Sequence, residues 1–167
     1  VRLFEAGFGS GLNALLTIRE AERRGWSVEY TAAEKYPVES EYLRATSYAA
    51  DPLFMAMHDA PWGEWVEVTP FFSLLKLEED LVAVVPEPGF DLVYFDAFAP
   101  DCQPELWSEL VFAKIYDATV PGGVLVTYSA KGDVKRALRA VGYDVRRLPG
   151  APGKRHMLRA VKPEGEV

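Results

Sequence analysis

The chain has 167 residues, 49% of them hydrophobic and 26% charged, which suits a folded domain and excludes a disordered or fibrous chain. One cysteine, Cys102, and two histidines, His58 and His156, exclude an internal disulfide framework and leave too few soft ligands for a structural zinc site, so no metal is expected. The net charge of −7 is unevenly placed: residues 1–130 hold 8 Lys/Arg against 21 Asp/Glu, whereas residues 131–162 hold 10 Lys/Arg against Asp133 and Asp144 alone.

Apolar, β-branched-rich runs alternate with stretches of helical period, the pattern of a parallel sheet flanked by helices. Val1 to Ala6 reads as a buried strand. A glycine-rich turn follows, then a helix with Leu12, Leu15, Leu16 and Ile18 on one face, ended by Gly25. Val28 to Ala33 is a second strand, and Pro37 opens an amphipathic helix through Tyr42 and Leu43. Residues 50–64, with Pro52, Pro61 and Gly63, read as a loop, and Trp65 to Thr69 as a strand. Phe71 to Val85 matches two patterns: Leu74, Leu75, Leu77, Leu81 and Val82 suit a helix, Phe71 and Phe72 an extended start.

Asp91 to Phe95 is the clearest strand and runs into Asp96. Pro104 opens a helix through Leu106, Leu110, Val111 and Ile115. Pro121-Gly122-Gly123 reads as a turn before the strand Val124 to Tyr128, Asp133 to Val141 as a helix, and Tyr143 to Arg147 as a strand. Met157 to Val161 is a last strand after the Leu148 to Gly153 turn. The expectation is one α/β domain over residues 1–167, with seven mostly parallel strands and helices on both faces. Because the chain opens in a strand at Val1, a preceding segment is expected to be missing. Every apolar run is too short and interrupted for a transmembrane helix or a secretory signal. The cysteine count alone makes the cytoplasm the default expectation.

Open α/β sheets bind ligands beyond the carboxyl ends of their strands, so the loops after Ala6, Ala33, Phe95 and Tyr128 are where chemistry is sought. The first reads Glu5-Ala6-Gly7-Phe8-Gly9-Ser10-Gly11-Leu12-Asn13. Glycines serve where backbone takes positive φ or meets a ligand closely, and the following helix start supplies N–H groups. The third glycine of a dinucleotide fingerprint is Leu12 here, which weakens a pyrophosphate reading. Glu5, at the mouth of the turn, favours a cationic ligand such as a sulfonium. Glu34 ends the second strand about 20 residues on, where an acid can accept from both ribose hydroxyls. A purely structural turn and an ordinary strand-end acid are the plainer readings of each feature alone. Together they point to an S-adenosylmethionine site.

The third of these loops, Asp96-Ala97-Phe98-Ala99-Pro100, carries an acid beside aromatic and proline residues. An aliphatic amine accepting a methyl group must first lose a proton, and Asp96 can orient it and take that proton. Phe98 can stack on an unstacked base or pack in the core, and Trp107 reads as core. The basic segment after residue 130 fits either a phosphate-rich partner or a solvated helix face.

These segments, with Glu34-Lys35-Tyr36-Pro37, Pro104, Trp107 and Gly153-Lys154-Arg155-His156-Met157-Leu158, run in an order that resembles the MnmC-like methyltransferase family. That family comprises the methyltransferase domain of the bifunctional tRNA 5-methylaminomethyl-2-thiouridine biosynthesis enzyme and its stand-alone relatives. The resemblance implies a Rossmann-like class I methyltransferase fold and S-adenosylmethionine as methyl donor. The implied acceptor is the aminomethyl group of a modified wobble uridine in tRNA, made by a separate enzyme. It also implies roles by residue. Glu5, Gly7, Gly9, Gly11 and Asn13 would line the methionine side of the cofactor, with Glu34 and Lys35 on the ribose side. Asp96 would act on the amine, with Phe98 and Pro100 against the base. Ser129 and Lys131 would take a lesser substrate-side role, and Lys154 and Arg155 would contact phosphate. No acid after the third strand stands out to meet the adenine amino group.

Three other functions share some of these features. A small-molecule amine methyltransferase or aminopropyltransferase would use the same fold and suit the acidic body. A non-catalytic binding domain would keep the fold without the cofactor. A nicotinamide dehydrogenase ranks last, since the third fingerprint glycine is absent.

Overall fold

The computed structural model describes residues 1–84 and 86–165 and divides into two compact units, Val1–Asp80 and Leu81–Val167. The first unit runs β1 (Arg2–Ala6), α1 (Leu12–Arg24), β2 (Val28–Ala33), α2 (Ser40–Arg44), α3 (Pro52–Asp59), β3 (Trp65–Thr69) and β4 (Phe72–Leu77). Its strands lie in the order β3-β4-β2-β1, with β1 and β4 each parallel to β2 and β3 antiparallel to β4. Parallel neighbours need a crossover, and α1 supplies it between β1 and β2. Both strands are buried except at Arg2 and Glu29, with Leu3, Phe4, Ala6, Tyr30 and Ala32 supplying most of the apolar surface. The α1 helix covers them with Ala14, Leu15, Ile18 and Ala21 and stops at Gly25, whose φ of 68° suits the left-handed C-cap.

The second unit runs β5 (Phe90–Phe95), a single 3₁₀ turn (Pro104–Trp107), α4 (Glu109–Ala118), β6 (Thr119–Thr127), α5 (Gly132–Ala140), β7 (Asp144–Pro149) and β8 (His156–Val161). Its order is β5-β6-β8-β7, with β5 parallel to β6 and β8 antiparallel to both β6 and β7. In each unit, therefore, three strands share one direction, and a single strand, β3 or β8, runs against them.

The described residues hold eight strands, not seven. The added one is β4, in the stretch that matched two patterns; the far end of that stretch, Val85, lies outside the described residues. Phe72, Leu74 and Lys76 are buried alternately with half-buried neighbours, which is the period of a strand. The 50–64 loop contains α3, because Asp51 caps Pro52 by accepting from the Leu53 amide at 2.9 Å, and Phe54 and Met57 supply a buried stripe. Pro37 opens no helix; α2 is confined to Ser40–Arg44. The helix read from Pro104 is broken at Ser108, which caps α4 by accepting from the Val111 amide. Pro121 to Gly123 lie inside β6 at an irregularity in its register with β5. Leu16 is exposed rather than on the buried face of α1.

Candidate functional site

Each unit carries one group of the predicted residues. In the first, Gly7, Gly9 and Gly11 all have positive φ, at 89°, 55° and 79°. Residues with a Cβ adopt that region only at a cost, so the spacing of the glycines is a backbone requirement. The turn is closed by the Gly7 amide donating to Ala33 O at 2.9 Å and the Gly11 amide donating to Phe8 O at 3.0 Å. Gly11 is the N-cap of α1, and no side chain caps that helix.

Glu34, 8% exposed, accepts from the Gly9 amide at 3.0 Å through Oε2 and from the Tyr36 amide at 2.9 Å through Oε1. The acid after β2 is thereby tied to the turn after β1. Each carboxylate oxygen has two lone pairs, so both keep capacity for a further donor.

Glu5 departs from its expected position at the mouth of the turn. It is 1% exposed, accepting from the Tyr30 hydroxyl at 2.6 Å and from the Asn13 amide group at 2.9 Å. A buried carboxylate needs donors, and Tyr30 lies diagonally across the β1–β2 ladder on the same face. Asn13, on the first turn of α1, is thus held by Glu5. Lys35 pairs with Asp80 at 2.8 Å, and that hydrogen bond raises its pKa. Asp80 closes the acidic run Glu78-Glu79-Asp80 after β4, the strand beside β2, and the Glu79 amide donates to Glu34 O at 3.1 Å. This run, which the sequence reading passed over, holds the acids of the loop next to Glu34.

In the second unit Asp96 follows β5 directly and is exposed, and Phe98 is 61% exposed, so Phe98 is no core residue. The loop between them is fixed by two side chains. Tyr128 donates its hydroxyl to Ala97 O at 2.8 Å, and Trp107 donates its indole N–H to Phe98 O at 2.7 Å. Trp107 is buried, as read, and packs edge-on against Phe95 and Tyr128. Burial first, then the nearby Asp96 charge, raises the Tyr128 pKa, so the phenol stays protonated as a donor. Pro100 continues the same loop, half-buried. Ser129 is buried, Lys131 is paired with Asp101, and the Lys154 ammonium sits 4.2 Å from the centre of the Tyr128 ring. Arg155 is exposed.

The family model of S-adenosyl-L-methionine-dependent methyltransferases matches residues 72–163, more than half of the chain. The chain belongs to this methyltransferase family. The tRNA 5-methylaminomethyl-2-thiouridine biosynthesis bifunctional protein MnmC of Aromatoleum aromaticum is 34% identical, over 94% of this chain and 27% of that protein. Its namesake from Pseudomonas aeruginosa is 31% identical, over 92% of this chain and 26% of that protein. This methyltransferase chain thus spans about a quarter of the length of those relatives. Of solved structures, MnmC2 from Aquifex aeolicus matches with a TM-score of 0.72 at 23% identity, over 100% of this chain and 55% of that one. The S-adenosylmethionine-dependent methyltransferase SibL matches with a TM-score of 0.62 at 18% identity, over 98% of this chain and 50% of that one. These likenesses show the Rossmann-like methyltransferase fold.

The family's methyl donor is S-adenosylmethionine, and the donor set of the first unit suits it. A Cβ built on Gly9 would meet nothing within 4 Å, so the turn leaves open space where a ligand can lie against backbone. The uncapped start of α1 and the spare lone pairs of Glu34 face this methyltransferase chain's need to hold a carboxylate and a ribose diol.

Proposed function

We propose that the chain transfers a methyl group from S-adenosylmethionine to the aminomethyl nitrogen of a modified wobble uridine in tRNA, converting 5-aminomethyl(-2-thio)uridine to 5-methylaminomethyl(-2-thio)uridine. The observation that carries this reading is the pair Asp96 and Phe98, an exposed acid and an exposed aromatic on a loop fixed by Tyr128 and Trp107. The names of the relatives support the tRNA substrate.

Gly7, Gly9, Gly11 and Asn13 would hold the cofactor's amino-acid end, Glu5 acting through Asn13, while Glu34 would hold the ribose and Lys35 would steady Asp80. An acid of the run Glu78-Glu79-Asp80 would accept from the adenine amino group. When bound, S-adenosylmethionine supplies an electrophilic methyl group to a neutral nitrogen. Asp96 orients the incoming ammonium and accepts its proton, leaving the lone pair free to attack. Phe98 stacks on the flipped-out base, Pro100 shapes the loop beside it, and Ser129 and Lys131 flank the substrate. Lys154 and Arg155 meet backbone phosphates.

We take residues 1–167 as one methyltransferase domain, working in the cytoplasm with tRNA that a separate enzyme has already given its aminomethyl group. Among the described residues no helix is long and apolar enough to cross a membrane. The reading is tested by methyl transfer from labelled S-adenosylmethionine to tRNA bearing 5-aminomethyluridine, with unmodified tRNA as control. Label in the modified tRNA alone supports it. Label in free amines and not in tRNA replaces it with a small-molecule methyltransferase.

A further inference from the structure

We infer that His58 is a positioning residue for the cofactor turn, held in place through α3 by the buried ammonium of Lys76. The inference rests on the reading of the glycine turn as the S-adenosylmethionine site. The His58 Nε2 lies 2.8 Å from Ser10 O. A carbonyl oxygen can only accept, so Nε2 carries the hydrogen and the ring is the donor. Ser10 C=O and Gly11 N–H belong to one planar peptide unit. Its far end is fixed as well, because the Gly11 amide donates to Phe8 O at 3.0 Å. That peptide lies between Gly9 and the first turn of α1, and its plane sets where those backbone donors aim.

The ring also limits what Gly11 can be. A Cβ there would lie 3.0 Å from His58 Nε2 and 3.1 Å from the Phe8 ring. His58 is wedged edge-on between Phe8 and Phe54, at 5.5 and 4.5 Å between ring centres.

The helix that carries His58 is anchored at both ends. At its start Asp51 caps Leu53 and pairs with Arg19 of α1. At its end the Lys76 ammonium of β4 donates to His58 O at 2.9 Å, where a cation complements the helix carbonyls. Lys76 is 1% exposed, with the Trp62 ring 4.9 Å from its nitrogen. A buried cation is costly and persists where it satisfies a specific acceptor. Here that acceptor is the backbone of the residue that grips the turn.

The test uses the full chain, with titration calorimetry of S-adenosylmethionine binding and amide hydrogen exchange of the ligand-free protein. His58→Phe keeps an aromatic ring between Phe8 and Phe54 and removes the donor. It should weaken binding about tenfold and speed exchange at Gly11, while amides of β1 and β2 keep their protection. His58→Gln restores a donor and should bind within about threefold of the parent. Glu34→Ala serves as the reference for the site itself. Parental affinity in His58→Phe alongside weakened binding in Glu34→Ala overturns the proposal alone. Parental affinity in both overturns the reading of the turn, and the proposal with it. Faster Gly11 exchange without loss of affinity also overturns it, since the histidine would then serve the fold only. Should His58→Phe fail to fold, Lys76→Met tests the same linkage from the other side of α3, and unchanged Gly11 exchange and affinity overturn it.

Discussion

The Tyr128 hydroxyl donates to the carbonyl oxygen of Ala97 at 2.8 Å, one residue beyond Asp96. Trp107 donates to the next carbonyl, that of Phe98. Two consecutive peptides are therefore oriented by aromatic donors from other elements, and the side chains of Asp96 and Phe98 inherit that orientation. Replacing Tyr128 with Phe keeps the ring against Trp107 and Lys154 and removes only the hydrogen bond. The expected outcome is a turnover number lower by about tenfold, from looser placement of Asp96, with cofactor affinity within about twofold of the parent. Steady-state kinetics and cofactor titration separate the two quantities, and a Tyr128→Phe enzyme with parental turnover would refute the role.

Glu34 joins the ends of β1 and β2 by accepting from Gly9 and Tyr36. Truncation to Ala leaves both amides without their acceptor and removes the acid proposed to hold the ribose. Cofactor affinity should fall by about thirtyfold or more and stability by about 1–2 kcal/mol. Glu34→Gln should lie between, since its amide keeps only one acceptor oxygen. Calorimetry for binding and urea unfolding for stability measure the two effects.

What was legible in the sequence was what local chemistry dictates. The Gly7-x-Gly9-x-Gly11 turn announces itself because only glycine takes those φ values freely, and β1 and β2 because apolar residues dominate both, Leu3, Phe4 and Ala6 in one and Val28, Tyr30, Ala32 and Ala33 in the other. The β4 strand was hidden by Lys76, a charge at a buried position that breaks the apolar alternation; its solution, the carbonyl of His58, comes from another element. The α3 helix was masked by Pro52, Pro61 and Gly63, although Asp51-Pro52 is itself a start signal. The burial of Glu5 depends on Tyr30, 25 residues away, and the steadying of the Asp96 loop on Tyr128, 31 residues from Ala97. Such pairings follow from strand register and crossover, which no short window of sequence carries.

Burial lowers the Lys76 pKa to about 8. Between that value and the ordinary lysine value near 10.5, the unfolded chain binds the proton and the folded chain has released it. Folding is penalised in full at low pH, and the penalty is relieved as pH rises through this window. Relative to Lys76→Met, which titrates nothing at this position, the parent should gain about 2 kcal/mol of stability between pH 7.5 and 9.5. Paired urea unfolding curves at the two pH values give the difference, and equal slopes for both proteins would contradict it.

Lys154 and Arg155 lie in the turn between β7 and β8, and both are exposed. If they meet RNA phosphates, each lost charge should reduce the salt dependence of tRNA binding by about one in the slope of log K against log salt. Arg155→Ala should show this loss with little effect on the fold, since its side chain is exposed. Lys154→Ala should add a smaller loss of turnover, because its ammonium rests on the ring of Tyr128. Filter binding at about 50 to 200 mM salt is the measurement, and a parental slope in both variants would remove these residues from the RNA surface.

Gly9 and Gly11 share positive φ but differ in what surrounds them, and alanine at each should separate binding from folding. At Gly9 a Cβ meets nothing within 4 Å, so Gly9→Ala pays only backbone strain, about 1 kcal/mol. The new methyl group then stands in the open space proposed for the ligand, and cofactor affinity should collapse while the protein remains folded. At Gly11 the Cβ meets His58 and Phe8 at 3.0 and 3.1 Å. The same strain is joined there by displacement of the ring that grips Ser10, so Gly11→Ala should destabilise by about 2–4 kcal/mol. Thermal unfolding should rank Gly9→Ala above Gly11→Ala, and the reverse order would mean that the crowding around Gly11 relaxes freely. Cofactor titration completes the comparison. Parental affinity in a folded Gly9→Ala protein would remove the turn from the binding site, because no ligand lying against that backbone could tolerate the added carbon.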